Sequence, residues 1–240
     1  MTEDQLDPRR CGRITASRFN DVLTEPKSKA DKEAGLLSQT AESYMLELLA
    51  ERMTGESNTG LRAPALDWGN RWEATAREVY QEVSGNEVAT AGFHLWRSND
   101  RIGATPDGFI GAVGGFETKC PYTPREHMRT VIKRTVPKQY IAQVQGGMWV
   151  CEREWWDFVS YDPRVQNLSS AIAIVRVYRD EAFIGRLERA CLRLLEVLDE
   201  RAAFLDHAET AVKWISPRHD LAHLTAPPIE LHYQGEIIQI

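Results

Sequence analysis

The stretch from Gly103 to Cys120, G-A-T-P-D-G-F-I-G-A-V-G-G-F-E-T-K-C, carries Asp107 in a Pro-Asp-Gly turn and, ten positions later, Glu117-Thr118-Lys119. The glycines at 108, 111, 114 and 115 suit a bulged strand and a tight hairpin, because glycine takes positive φ without strain. A chain that goes out along one strand and returns along the next brings Asp107 near Glu117 and Lys119. Those two lie two apart, so they point to the same face of a strand. Two carboxylates and an ammonium on one face line a cleft. Hard carboxylate oxygens suit Mg²⁺ or Mn²⁺ and not zinc. An adjacent lysine can orient or deprotonate a water that attacks a phosphate held by such a metal. A plainer reading stays open at this level: an ordinary turn, with Glu117 and Lys119 a surface cross-strand pair.

The elements around this stretch follow from periodicity. Phe93 to Arg97, Ile102 to Ile110 and Phe116 to Cys120 read as strands. Pro137 opens a helix with Tyr140, Ile141, Val144 and Met148 on its buried side, and the amides Gln143 and Gln145 ride on it. Gln143 could hydrogen-bond a catalytic water or only its surroundings. Trp155 to Tyr161 is the fourth strand, Asp162-Pro163-Arg164 turns the chain, and Ala171 to Tyr178 is the fifth. A helical crossover between the third and fourth strands implies a parallel pair inside an otherwise antiparallel sheet. A long amphipathic helix then runs from Asp180 to about His207, and the last ~25 residues, with Pro217, Pro227 and Pro228, carry no assignment.

Upstream, R-R-C-G-R-I-T-A-S-R at residues 9 to 18 is basic, with Thr15 and Ser17 placed to cap a helix beginning near Ala16. That is either an anion site or a solvated face with a routine cap. Residues 24 to 38 read as a lysine-rich loop, Gln39 to Met53 as a helix stopped by Gly55, and a loop with Asn58, Gly60 and Pro64 follows. The helix from about Leu66 to Ser84 buries Trp72, Ala76, Val79, Tyr80 and Val83. Glu73 sits at the edge of that stripe, either snorkelling to water or held inward by a partner such as a metal. Arg125, Arg129, Lys133, Arg134 and Lys138 face the single acid Glu126, which makes a phosphate-tracking surface or a solvated helix face.

At 240 residues, with 42% hydrophobic and 27% charged content, the chain reads as one domain with a sizeable core. No apolar run reaches the roughly 18 residues of a membrane span, and the N-terminus lacks a signal-peptide core, so a cytosolic location is expected. The four cysteines show no CxxC spacing and the six histidines no paired-ligand spacing, so reduced thiols and no zinc site are expected. A net charge of −6 argues against a protein that coats nucleic acid without specificity, while local clusters still allow action on it.

Several blocks in order carry a family resemblance: G-R-I-T-A-S with Arg10 upstream, L-D-W-G-N-R-W-E, A-T-P-D-G, F-E-T-K-C-P and Q-Y-I-A-Q-V-Q-G-G-M-W-V, with Y-D-P-R at Asp162. Over about Arg10 to Arg179 the chain resembles the phage lambda-type 5′→3′ exonucleases, also called YqaJ-type viral recombinases, of the PD-(D/E)XK nuclease class. The resemblance implies an α/β restriction-endonuclease-like core, a mixed central β-sheet flanked by helices. It implies a single nuclease domain over 1–240, with a core at about 10–207 and a divergent tail at 208–240.

The implied activity is a Mg²⁺-dependent 5′→3′ exodeoxyribonuclease on double-stranded DNA ends, which releases 5′-mononucleotides and leaves 3′ single strands for annealing recombination. Glu73, Asp107 and Glu117 look like the carboxylates for two Mg²⁺ ions, replaceable by Mn²⁺, with the Thr118 carbonyl completing the shell. Lys119 matches the lysine that positions or deprotonates the attacking water, and Gln143 the amide that helps orient it. Arg10, Ser17 and Thr105 match a pocket for the 5′-phosphate; many relatives have serine at the place of Thr105, so the extra methyl changes the pocket's shape. Leu66 matches a wedge between terminal base pairs, and Lys27 a loop that reaches the duplex ahead. The resemblance further implies a ring-shaped homotrimer, a phage single-strand-annealing protein as partner, no membrane, and the cytoplasm of a bacterial host carrying a phage or prophage. Two alternatives are a restriction-like endonuclease or related end-processing nuclease on the same core, and a catalytically silent DNA-binding module.

Overall fold

The computed structural model describes residues 7–57 and 64–206, without the side chains of Leu66 and Asp206, and the backbone of two strands at 230–233 and 236–239. The loop with Asn58 and Gly60, the residues after 206 apart from those strands, and the Leu66 side chain lie outside the described residues. The chain divides into two compact units, Met1–Ala203 and Phe204–Ile240.

In the first unit the strands are β1 (Ile14–Thr15), β2 (His94–Trp96), β3 (Asn99–Ala104), β4 (Gly108–Ile110), β5 (Gly114–Lys119), β6 (Trp155–Tyr161) and β7 (Ile172–Tyr178). The helices are α1 (Phe19–Val22), α2 (Lys29–Glu33), α3 (Gln39–Thr54), α4 (Pro64–Ser84), α5 (Pro124–Lys133), α6 (Lys138–Val150), α7 (Leu168–Ala171) and α8 (Glu181–Asp206). The strands form two sheets, β1-β3-β2 and β4-β5-β6-β7. The second is the mixed sheet expected from the crossover: β5 and β6 are parallel, and β4–β5 and β6–β7 antiparallel. In the second unit, β8 (Glu230–Tyr233) and β9 (Glu236–Gln239) form an antiparallel hairpin.

The strand expected over Ile102–Ile110 is broken into β3 and β4, which belong to different sheets. Pro106 explains the break: it has no N–H for a ladder and restricts the residue before it. The segment Thr105-Pro106-Asp107 is therefore the crossing point between the sheets. Gly111, at φ +56°, turns the β4–β5 hairpin as its neighbouring glycines predict. Two further expectations are corrected. Residues 24–38 contain the short helix α2, capped by the Ser28 side chain accepting from the Asp31 N–H at 3.0 Å. Thr15 and Ser17 do not cap a helix with their side chains. Ala16–Arg18 is a 3₁₀ turn with no side-chain cap bond, because the Thr15 and Ser17 hydroxyls lie 3.3 Å apart and bond each other.

Three apolar clusters position the site. Ala76 and Tyr80 of α4 pack with Phe116, Val159 and Ile172, so α4 covers one face of the four-stranded sheet. Val144 and Met148 of α6 pack with Trp156 and Phe158 on the other face. Leu187, Leu194 and Leu198 of α8, each 0% exposed, close a third cluster with Ile14, Phe19, Met45, Leu48, Ile102 and Trp149. Full burial of each such leucine contributes roughly 1.5–3 kcal/mol. A Cβ at Gly146 would lie 2.1 Å from the Phe19 ring, so the residue's lack of a side chain lets α6 approach α1. Within the sheet, Asp157, 2% exposed, accepts two bonds at 2.8 Å from Arg176 and one at 2.7 Å from the Tyr80 hydroxyl. Tyr80 lies seven residues after Glu73, on the same stripe of α4, so this buried network anchors the helix that carries Glu73.

Candidate active site

Alternation along β5 sets the chemistry. Phe116 packs towards α4, so Glu117 and Lys119 face α6, in register with Phe158 and Ser160 of β6. Glu117 is 2% exposed. Its Oε1 accepts from Lys119 Nζ at 2.6 Å and from Gln143 Nε2 at 2.5 Å. Gln143 thus reaches Glu117 from α6, and its partner here is the carboxylate. Lys119 also lies over the Tyr140 ring, with Nζ 5.3 Å from the centroid.

Asp107 is brought in by the crossing between the sheets. Its Oδ2 accepts the Thr118 backbone N–H at 2.7 Å, and its carbonyl accepts from Arg77. Arg77 lies one turn beyond Glu73 on α4. Arg77 was not foreseen, although its i+4 spacing from Glu73 is a signal for the same helix face. Glu73, Asp107, Thr118 and Lys119 line one cavity of about 260 Å³ at the end of β5, together with Asn70, Cys120, Tyr122 and Tyr140.

The electrostatics reflect crowding of like charge. Burial raises the Glu117 carboxyl above its usual range, the charges of Asp107 and Glu73 raise it further, and Lys119 opposes them. Burial pulls the Lys119 ammonium down, but the Glu117 and Asp107 carboxylates outweigh this and raise it. Burial, with Glu73 and Asp107 nearby, pushes the Cys120 thiol up to about 12, so it stays protonated and inert. Glu73 and Asp107, which line the cavity with Thr118, and Glu117, buried within reach of their charges, are hard oxygen donors whose chemistry fits a divalent cation such as Mg²⁺. They are not drawn into a cage: among the described residues no group of three or more His, Cys, Asp or Glu is gathered closely enough to hold a metal ion.

Of the residues of the implied phosphate pocket, Arg10 and Thr105 meet, while Ser17 bonds Thr15. β1 runs parallel to β3 with Thr15 opposite Gly103, so Ser17 and Thr105, each two residues further on, emerge at the same end. Arg10 donates to the Thr105 hydroxyl, and its guanidinium carbon lies 5.8 Å from the Phe93 ring centroid. Ser17 is exposed and bonds Thr15. Lys27 is exposed just before α2, and Leu66 falls in the first turn of α4. Lys27 is not among the described residues that line the cavity.

The comparisons with known proteins agree with this architecture. The profile of the YqaJ-like viral recombinase domain matches residues 7–154. A solved alkaline exonuclease, LHK-Exo from Laribacter hongkongensis, is similar at 31% identity and a TM-score of 0.73, covering 82% of this chain and 93% of that one. LHK-Exo in complex with dAMP is similar at 31% identity and a TM-score of 0.74, covering 83% and 94%. A phage-related exonuclease from Haemophilus somnus 129PT shares the fold at 19% identity and a TM-score of 0.65, over 80% of this chain and 96% of that one. The ExoD protein of Escherichia coli (strain K12) is 31% identical over 68 residues, which is 28% of this chain and 76% of that protein. The core is restriction-endonuclease-like, a mixed sheet between helices.

Proposed function

This chain belongs to the YqaJ-like viral recombinase family, and we propose that it is a Mg²⁺-dependent 5′→3′ exodeoxyribonuclease acting on free ends of double-stranded DNA. Family membership and the likeness to LHK-Exo, itself an alkaline exonuclease, support an exonuclease. One observation carries the finer reading. The crossing Thr105-Pro106-Asp107 has the hydroxyl that Arg10 contacts at one end and a carboxylate bonded to β5 at the other. Recognition of a terminal phosphate and cleavage of the adjoining bond would then lie two residues apart. An enzyme that must start from an end needs that arrangement.

In this reading Arg10, Ser17 and Thr105 receive the 5′-phosphate, whose charge a guanidinium and hydroxyls suit. Glu73, Asp107, Glu117 and the Thr118 carbonyl would hold Mg²⁺, for which Mn²⁺ can stand in. When bound, the metal supplies Lewis-acid activation and neutralises the phosphodiester. Lys119 orients the attacking water, and Gln143 holds Glu117 in place from α6. Lys27 and Leu66 contact the duplex ahead and its terminal base pair. The product is a 5′-mononucleotide, and a 3′ single strand remains for annealing. The family resemblance carries the rest of the proposal: a ring-shaped homotrimer, a phage single-strand-annealing protein as partner, and action in the cytoplasm of a bacterial host. No helix among the described residues is long and apolar enough to cross a membrane.

The test is digestion of a linear duplex with 5′-phosphate, the same duplex with 5′-hydroxyl, and a closed circle, with Mg²⁺ and after chelation. Mononucleotide release should be fast on the first, slower on the second and absent on the circle, and chelation should stop it until Mg²⁺ or Mn²⁺ is restored. Cutting of the circle would support the endonuclease reading. Binding without cleavage of any substrate would support a silent DNA-binding module.

A further inference from the structure

One aromatic ring at the cavity takes no part in the roles above. Tyr122 lines it beside Glu73, Asp107 and Lys119, yet the residue is 54% exposed. It is not a loosely held surface residue. Arg164 donates to the Tyr122 carbonyl at 3.1 Å and to the Pro121 carbonyl at 3.2 Å. That guanidinium is gripped by Asp162 through two bonds at 2.8 Å, and the Asp162 side chain is 0% exposed. The same guanidinium lies 4.4 Å from the centroid of the Trp68 ring, and Trp68 meets the Tyr122 ring edge-on at 6.0 Å. A buried acid, an arginine and a tryptophan therefore hold one exposed ring at the lip of the cavity.

Asn70 lines the same cavity, although its Nδ2, which has no hydrogen-bond partner among the described residues, is shielded from it. A flat π-face held at the lip of a cavity that the nuclease reading gives to the scissile phosphate suits the base of the nucleotide that carries that phosphate. The cavity, at about 260 Å³, lies below the roughly 300–1,000 Å³ of ligand clefts, so the base would rest on the exposed ring at its lip and not inside it.

We propose that Tyr122 is the platform on which the base of the nucleotide being released stacks, and that Arg164 and Asp162 are the residues that position it. The inference rests on the nuclease reading above and adds a subsite to it. Because every base presents a π-face, such a platform holds the nucleotide without selecting sequence.

The probe is 2-aminopurine deoxyribonucleoside 5′-monophosphate, whose fluorescence is quenched on stacking, titrated into the full chain. The wild type and Tyr122→Phe should quench it. Tyr122→Ala should lose the quenching, with affinity weakened roughly 5- to 150-fold, the range for loss of one base–aromatic stack. Deoxyribose 5-phosphate, which has no base, should bind all three alike. Equal quenching by wild type and Tyr122→Ala, or no quenching by either, would overturn the proposal, as would an equal loss of deoxyribose 5-phosphate binding in Tyr122→Ala. The readout requires no cleavage. If the wild type degrades no DNA but still quenches through Tyr122, the nuclease reading fails and the stacking platform stands.

Discussion

Replacing Arg164 by alanine strips a fully buried carboxylate of its cation. Arg164 donates to both oxygens of Asp162 at 2.8 Å, while its backbone N–H, which alanine would keep, donates to Oδ1 at 3.0 Å. Removing one partner of a buried pair costs roughly 3–5 kcal/mol. The Arg164 side chain is 39% exposed, so solvent already screens part of the attraction, and the surviving N–H offsets a little more. A cost of about 2–3 kcal/mol is therefore expected, against about 0–1 kcal/mol for a pair that behaves as a surface one. For a chain of this size each kcal/mol shifts Tm by about 2–4 °C. Arg164→Ala should then melt about 4–12 °C below wild type at neutral pH, as read by calorimetry.

Acid supplies the control. Burial raises the Asp162 carboxyl, but its bonds from Arg164 outweigh this and hold it below its ordinary value of 3.8. A carboxyl whose folded value is depressed stabilises the fold fully above its unfolded value, and that stability is lost as pH falls through the folded value. The gap between wild type and variant should persist at neutral pH and close below about pH 4. A drop in Tm smaller than about 4 °C at neutral pH, or a gap that does not narrow in acid, would refute the account of this pair.

Lys119→Ala should abolish cleavage while leaving DNA binding, measured by gel shift, largely in place; equal activity would remove the proposed lysine role. Gly146→Ala should destabilise the protein. A gain of about 1 kcal/mol in helix propensity is outweighed by overpacking of roughly 1–3 kcal/mol, since the new Cβ would sit 2.1 Å from the Phe19 ring. Phe19→Leu in the same chain should restore part of the lost Tm, and a Gly146→Ala protein as stable as wild type would show that α1 yields freely.

The long elements were legible because their periodicity runs over several turns and ends in recognisable punctuation. α3 has apolar residues at helical spacing and stops where Gly55 takes φ +73°. β6 occupies Trp155–Tyr161 as expected, and the helical crossover required its parallel pairing with β5. Short elements escaped for a physical reason. β1 is two residues long, too short to display alternation, and its identity comes from pairing with β3, which is non-local. The single strand read over Ile102–Ile110 hid a change of sheet, and Pro106 was the one local sign of it. Of the cluster at the cavity mouth, Asp162-Pro163-Arg164 was readable as a turn, but Arg164 meets Tyr122 42 residues away in sequence, and no local pattern reports such a contact.

The site divides along the same line. Residue types announced the acid–lysine chemistry, because Glu117 and Lys119 share a face of one strand and strand geometry alone puts them together. Which residues steady them was not readable: Gln143 binds Glu117 from α6 and Arg77 binds the Asp107 carbonyl from α4, on opposite faces of the sheet. The two parts of the candidate site meet at the crossing at Pro106. Thr105 is tied to Arg10 on the side of the three-stranded sheet, and Asp107 is tied to Thr118 in the four-stranded one. With a proline between them whose φ is locked, the short segment that carries both ties has one backbone torsion fewer than any other residue there would leave it, which suits a crossing that must hold Thr105 against Arg10 and Asp107 against Thr118 at once.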